Sequence, residues 1–416
     1  MWHRPLVRIA LVGLWFGILA LPLMMEPKAA YFGLGRPVLV AVGVALVGLV
    51  QWFAAEWGGP ATKWLERLVG ETGRAVRHLA DRIDRRLLRV LALASALLIP
   101  LGLNRYHIDV LTQVGIYVTL ALGLNIVIGL AGLLDLGYVA FYAVGAYAYG
   151  LLSTRVGLSF WEVLPLGALL AALFGVLLGI PVLRLKGDYL AIVTLGFGEM
   201  IRITLNNWDS LTHGPNGIIG IPRPKAFGFT FSTPIHYYYL SLAMVGLTIF
   251  VVGRLNRSRI GRAWTAIRDD EVAAETMGIN LMKAKLLAFA LGATWAGLAG
   301  VFFASKMTFI SPESFTFFES VIILCMVVLG GMGSVSGVIL GASLLVILPE
   351  VMRQFALYRM LIFGGAMVVM MILRPQGLIA SSRRVIALGL RDRRQAAAAT
   401  GVSPASRGRS PTNSVV

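Results

Sequence analysis

The chain has 416 residues, 57% of them hydrophobic and only 14% charged. Each helix that crosses a bilayer needs about 20 apolar residues, so this composition excludes a single soluble core, a disordered chain and a collagen. The formal net charge of +17 does not indicate nucleic acid, because the Lys and Arg residues lie between apolar runs instead of gathering on one folded face. A polytopic membrane protein is what remains.

Twelve apolar segments follow one another, at about 6–25, 37–55, 87–103, 108–130, 136–153, 160–183, 188–205, 235–253, 284–305, 318–332, 335–350 and 357–373. The first carries His3, Arg4 and Arg8 ahead of its apolar run and resembles a signal peptide. No small-x-small site follows promptly, which predicts an uncleaved first helix. Residues 56–86 form a charged amphipathic stretch with Trp57 and Trp64 suited to headgroup level, and they separate the first two spans from the rest. With the N-terminus inside, 27 of the 37 Lys and Arg residues fall on the cytoplasmic side and 9 on the other. That bias places both termini in the cytoplasm. The expected organisation is all-α: an N-terminal transmembrane extension over 1–100, a core over 101–374, and a basic tail over 375–416. The only cysteine, Cys325, lies in an apolar run, so no intrachain disulfide can form.

Two glycine-rich stretches interrupt the apolar pattern, GLNIVIGLAGLLDLG (123–137) and LGGMGSVSGVILG (329–341). Small residues let transmembrane backbones pack closely; alternatively, broken or re-entrant helices mark substrate paths in transporters. Re-entrant segments would lower the span count from twelve to ten or eleven. The candidate pathway residues are therefore Asn125, Gly129, Gly132, Asp135, Gly330, Gly331, Gly333 and Ser334. Glu199 and Arg202, at i,i+3 in the seventh span, can neutralise one another. They read either as a polar element beside the path or as a structural pair near the outer interface, since Asn206 and Asn207 follow.

The most informative polar stretch is the loop 254–285, with GRAWTAIRDDEVAAETMGIN at 261–280. Asp269 or Asp270 can cap a short helix, and Gly278 can end it. Glu271, Ala274, Glu275 and Gly278 then share one face, which suits docking into a groove of another protein. No lysine is followed by Ser or Thr, so the GxxxxGK[ST] phosphate loop is absent; so are paired histidines at i,i+4 and a GxSxG elbow. Neither an enzyme nor a metal or cofactor site is expected. An ion-coupled secondary transporter would need a chain of intramembrane acids or histidines, and a lipid-processing enzyme a second acidic cluster; neither pattern is present.

ALGLNIVIGLAGLLDLGYVAFYAVGAYAYGLL (121–152), LKGDYLAIVTLGFGEMIRITLNNW (185–208), the 261–280 loop and LRPQGL (373–378) resemble the membrane subunits of branched-chain amino-acid ABC importers. The resemblance covers about 105–380, and the length and N-terminal extension are similar to the LivM-type permease. It implies an ABC importer permease fold and a pathway for leucine, isoleucine and valine. Relatives that carry urea, amides or other amino acids share the core. It further implies a complex with a LivH-type second permease, two LivG/LivF-type ATP-binding subunits and a periplasmic amino-acid-binding protein, in the bacterial inner membrane. Glu271, Ala274 and Gly278 match the E-x-x-A-x-x-x-G core of the ATPase-coupling loop, to which Arg262 and Asp270 also belong. The downstream I-x-L-P of that loop is replaced here by Ile279, Asn280, Leu281 and Met282.

Overall fold

The computed structural model describes residues 97–351, except 99, 101, 102, 183, 184, 186 and 227, together with 364 and 377–379. The chain divides into two units, 1–96 and 97–416, and everything below concerns the second. The expected first helix, the 56–86 stretch and nearly all of the basic tail lie outside the described residues.

The described chain is helical nearly throughout. Its elements are α1 (Arg105–Asn125), α2 (Val139–Leu151), α3 (Phe160–Val182), α4 (Asp188–Asn207), the single turn α5 (Asp209–Thr212), α6 (Pro234–Asn256), α7 (Arg259–Asp269), α8 (Glu271–Thr276), α9 (Leu281–Met307), α10 (Phe317–Gly330) and α11 (Val335–Val351). A π-helical turn extends α1 over Ile126–Leu130, and another extends α2 over Leu152–Val156. Among the described residues, five segments are long and apolar enough to cross a membrane, namely Arg105–Leu130, Phe160–Val182, Pro234–Asn256, Leu281–Met307 and Pro312–Gly330. Each of the eight apolar segments expected between 108 and 350 coincides with a helix. The chain is an all-α polytopic bundle.

Helix α9 is the centre of the bundle, packed against α3, α2 and α1. Its sequence explains why. Ala288, Gly292, Ala293, Ala296, Gly297, Ala299, Gly300 and Ala304 give it buried small residues all round, so neighbouring backbones approach closely. A Cβ on Gly145 of α2 would strike the Gly297 carbonyl, and a Cβ on Gly297 would come within 2.7 Å of the Gly167 carbonyl oxygen of α3, so each glycine admits a different neighbour. The outward face of α3 is the reverse: Leu169, Leu173, Leu177 and Ile180 are each more than half exposed. A row of this kind belongs against lipid or another membrane subunit, not water.

One end of the bundle is tied by short strands. β1 (Ile218–Ile219) and β4 (Phe309–Ile310) pair antiparallel, with Ile218 opposite Ile310, and β2 (Lys225–Ala226) pairs with β3 (Phe229–Thr230). The first pair joins the α5–α6 connection to the α9–α10 connection, and the second is a hairpin within the α5–α6 connection. Glu199 and Arg202 belong to this end. Their 2.9 Å ion pair is joined by Glu313 at 3.6 Å, so Arg202 reaches out of α4 to the α9–α10 connection. The other end carries α7, α8 and both glycine-rich breaks. Neither break lies within one helix: the first joins α2 to the π-turn after α1, and the second joins α10 to α11.

Candidate transport and coupling site

The first break runs from Gly129 to Tyr138. Helix α1 loosens into its π-turn, and the amides of Ala131, Gly132 and Leu133 bond back to the carbonyls of Ile126, Ile128 and Val127. Beyond it the backbone has no helix to satisfy its amides, and in an apolar interior an unpaired one is costly. Side chains from three sources supply the acceptors. Thr194 Oγ1 of α4 accepts from Leu136 N at 3.0 Å, Asp135 Oδ1 from Gly137 N at 2.9 Å, and Ser320 Oγ of α10 from Val139 N at 3.0 Å. Tyr138 donates its hydroxyl to the Gly292 carbonyl at 3.0 Å. Asp135 is fully buried, and its Oδ2 has no hydrogen-bond partner among the described residues.

The second break, 330–334, is held by backbone. Gly331 (φ +109°) and Gly333 (φ +84°) take conformations that L side chains rarely adopt. Ser334 Oγ accepts from Gly337 N at 3.2 Å and so caps the start of α11. The end of the LRPQGL motif folds over this turn. Leu378 N donates to the Leu329 carbonyl at 2.8 Å and Ile379 N to that of Gly330 at 3.2 Å, while Gly377 (φ +82°) lies against Gly331.

The two breaks meet. Asn125 Oδ1, on α1, accepts from Gly333 N at 2.8 Å across 208 positions of sequence. A Cβ on Gly129 would come within 2.6 Å of that same amide nitrogen. The α7–α8 loop reaches the junction as well, because Arg268 donates from Nη1 to the Gly129 carbonyl. Two of the sequence blocks that carry the family resemblance, 121–152 and 261–280, thus meet the second glycine-rich stretch at one end of the bundle, and the end of a third block, at 377–378, folds over it.

The loop itself is built by side-chain caps. Ser258 accepts from Gly261 N at 3.1 Å to start α7, and Asp270 Oδ1 accepts from Val272 N (2.9 Å) and Ala273 N (3.0 Å) to start α8. Of the two candidate caps, Asp270 is the one used. Gly278 N bonds to Glu275 O and Ile279 N to Ala274 O, which closes α8 in a Schellman turn with Gly278 at φ +83°. Asn280 Oδ1 then caps α9. Trp264, fully buried, donates from its indole to Ala284 O at 2.7 Å and pins α7 to α9.

The face that spacing assigns to docking is divided: Glu275 and Gly278 are exposed, whereas Glu271 and Ala274 turn toward the bundle. Ala274 is buried, and Glu271 forms a 2.5 Å ion pair with Lys285, itself only 4% exposed at the start of α9. The Glu271/Ala274 side therefore faces its own chain. The apolar residues turned outward are Val272, Met277 and Met282, at 65%, 82% and 61% exposure. A Cβ at Gly278 would meet nothing within 4 Å, so that glycine is required for its φ and not for close approach. Arg262 is exposed and donates to the Arg257 carbonyl at 3.1 Å.

Sequence reasoning missed Arg268, Thr194, Ser320, Lys285 and Glu313. Arg268 stood inside the quoted loop as one more basic residue, and Thr194 and Ser320 are ordinary hydroxyls in apolar runs. Only Lys285, a cation six residues past Ile279 at the edge of an apolar segment, gave a signal that could have been followed.

A helical bundle with an exposed apolar girdle, joined breaks and a capped polar loop reaching them is a membrane-transport subunit. The family described as "Branched-chain amino acid transport system / permease component" matches residues 106–372, and the chain belongs to it. It is 48% identical over 324 residues to the high-affinity branched-chain amino acid transport system permease protein LivM of Escherichia coli K12, covering 72% of this chain and 76% of that one. The LivM protein of Salmonella typhimurium LT2 is 48% identical over 344 residues, or 74% and 81% of the two chains. The permease protein LivH of the same Salmonella strain is 24% identical over 284 residues, 63% of this chain and 91% of that one. No solved structure shows significant similarity to the chain.

Proposed function

We propose that this chain forms part of a translocation pathway for leucine, isoleucine and valine in an ABC importer. The observation that carries the proposal is the 48% identity to the LivM permeases over most of the chain. Likeness to LivH over 63% of the chain supports a second permease subunit of related fold, with the apolar face of α3 among the surfaces available to it. Two ATP-binding subunits and a periplasmic amino-acid-binding protein complete the assembly, because the chain has no phosphate loop of its own. The positive-inside bias puts the α7–α8 loop, both breaks and both termini on the cytoplasmic side of a bacterial inner membrane. The breaks then lie at the inner mouth of the pathway, with Asn125, Gly129, Gly132, Asp135, Gly330, Gly331, Gly333 and Ser334 as its candidate lining or gate.

In this reading the α7–α8 loop docks onto an ATP-binding subunit. Val272, Met277 and Met282 supply the contact, while Arg262, Asp270, Glu271, Ala274 and Gly278 shape the loop that presents them. The test is uptake by the complete complex in liposomes, with Met277→Glu as the probe. Met277 is exposed, so the variant should insert normally, lose copurifying ATPase and lose ATP-dependent leucine uptake by about tenfold or more, as expected for a charge placed in an apolar contact. Uptake of leucine by the purified chain alone, driven by an ion gradient, would instead support a secondary transporter. Uptake of urea or amides in place of leucine would move the substrate assignment.

A further inference from the structure

We infer that Arg268 is a positioning residue, the strut through which movement of the α7–α8 loop reaches the two glycine-rich breaks. The inference rests on the proposal that this loop meets an ATP-binding subunit, and it goes beyond it by naming the connection inside the chain.

The geometry begins with the broken end of α1. Helix termini leave carbonyls without partners. Here the amides of Ala131, Gly132 and Leu133 are taken up by Ile126, Ile128 and Val127, and the Gly129 carbonyl receives the Arg268 guanidinium instead. A cation at the C-terminal end of a helix is also where the helix dipole favours it. The aliphatic part of Arg268 lies on Gly132: a Cβ there, at φ +74°, would come within 2.7 Å of Arg268 Cγ and 3.1 Å of its Cβ. On the far side, a Cβ on Gly333 would be 3.2 Å from the Gly129 oxygen and 3.5 Å from Arg268 Nη1. One side chain therefore touches both breaks, at positions where the chain offers only glycine.

The other end of the strut is stiff. Arg268 sits in the last turn of α7, whose Trp264 and Ile267 are buried against the bundle. One residue, Asp269, separates it from the Asp270 cap that starts α8. Force applied to Val272, Met277 or Met282 thus reaches Arg268 through two capped helical turns and no flexible segment. The junction is also built to rearrange. Asn125 uses only its carbonyl oxygen there, and its buried Nδ2 has no hydrogen-bond partner among the described residues. A movement of Arg268 that separates Gly129 from Gly333 would release Asn125 Oδ1 from the Gly333 amide and let the side-chain amide turn to other partners. Arginine suits the task better than lysine because its guanidinium is planar and presents its N–H donors in a fixed geometry.

The test uses the complete complex in liposomes with loaded binding protein. Arg268→Met keeps an unbranched apolar stem and removes the guanidinium with its donors. It should copurify with the ATP-binding subunits at the wild-type ratio, while uptake, and the stimulation of ATP hydrolysis by the binding protein, fall about tenfold, the equivalent of one charge-assisted hydrogen bond. Arg268→Lys should restore part of both. Gly132→Ala, which displaces Arg268 without removing it, should give the same uncoupling, and combining it with Arg268→Met should add nothing further. Wild-type coupling in Arg268→Met, loss of the ATP-binding subunits from that variant, or multiplying effects in the double variant would each overturn the strut. A wild-type complex without ATP-dependent uptake would instead refute the functional proposal, and the strut with it.

Discussion

The two glycine-rich breaks solve the same problem by opposite means. The first leaves amides at Leu136, Gly137 and Val139 that are met by the side chains of Thr194, Asp135 and Ser320. The second has few side-chain partners and is closed by backbone, from 377–379 above and from Gly337 of α11 beside it. The first break is also sterically tight, since a Cβ on Gly137 would strike the Thr194 carbonyl, but its amides depend on side-chain acceptors where the second break depends mainly on backbone. The comparison teaches that a glycine-rich stretch is not one kind of feature. One is a polar cradle closed tightly at Gly137, and the other is held chiefly by backbone with Asn125 and Ser334 as its side-chain partners.

The comparison would be broken most directly by Gly330→Ala. A methyl there would come within 2.6 Å of Gly337 C and Val338 Cα, backbone atoms that cannot step aside, and the expected loss is about 3 kcal/mol. Thermal unfolding of the purified complex in detergent measures it, and an unchanged midpoint would remove the steric account of the second break. Ser320→Ala sharpens the other half. It leaves the buried Val139 amide without its acceptor, for an expected loss of about 2 kcal/mol, read as faster amide exchange at Val139 and a lower unfolding midpoint. Protection as in the wild type would show that the cradle does not depend on Ser320. The smallest effect belongs to Ser334→Ala, which removes a helix cap at the second break and should lower stability by about 1 kcal/mol. A larger loss than that of Ser320→Ala would reverse the proposed division between the two breaks.

The ion pair of Glu271 with Lys285 carries a similar lesson for the loop. By spacing, Glu271 and Ala274 share a face with Gly278, and sequence alone could not say whether that face turns toward a partner or back toward the chain. The structure turns Glu271 and Ala274 inward and leaves Val272, Met277 and Met282 outside. Glu271→Ala would strand a nearly buried lysine, with an expected loss of about 3 kcal/mol. Replacing both partners with methionine should recover most of it, and the pair of unfolding midpoints checks this. If Glu271→Ala unfolds like the wild type, the inward pair contributes nothing to stability.

Much of the architecture was legible without coordinates, for a physical reason. Helices in a bilayer must satisfy their backbone internally, so each apolar run declares itself, and all eight expected between 108 and 350 are helices. Caps are equally local: the Asp269–Asp270 pair and Gly278 announce themselves because cap bonds and φ angles involve only the next few residues, though choosing Asp270 took the structure. What the tertiary structure decided is everything that joins distant residues. Asn125 and Gly333 are 208 positions apart, and Arg268 reaches Gly129 over 139; nothing in either neighbourhood specifies the other. Which hydroxyl among many in apolar helices meets a bare amide, and which side of an amphipathic loop is buried, depend on how the helices pack. Periodicity and capping are written in short windows of sequence, whereas the joining of the two breaks is a property of the packed bundle.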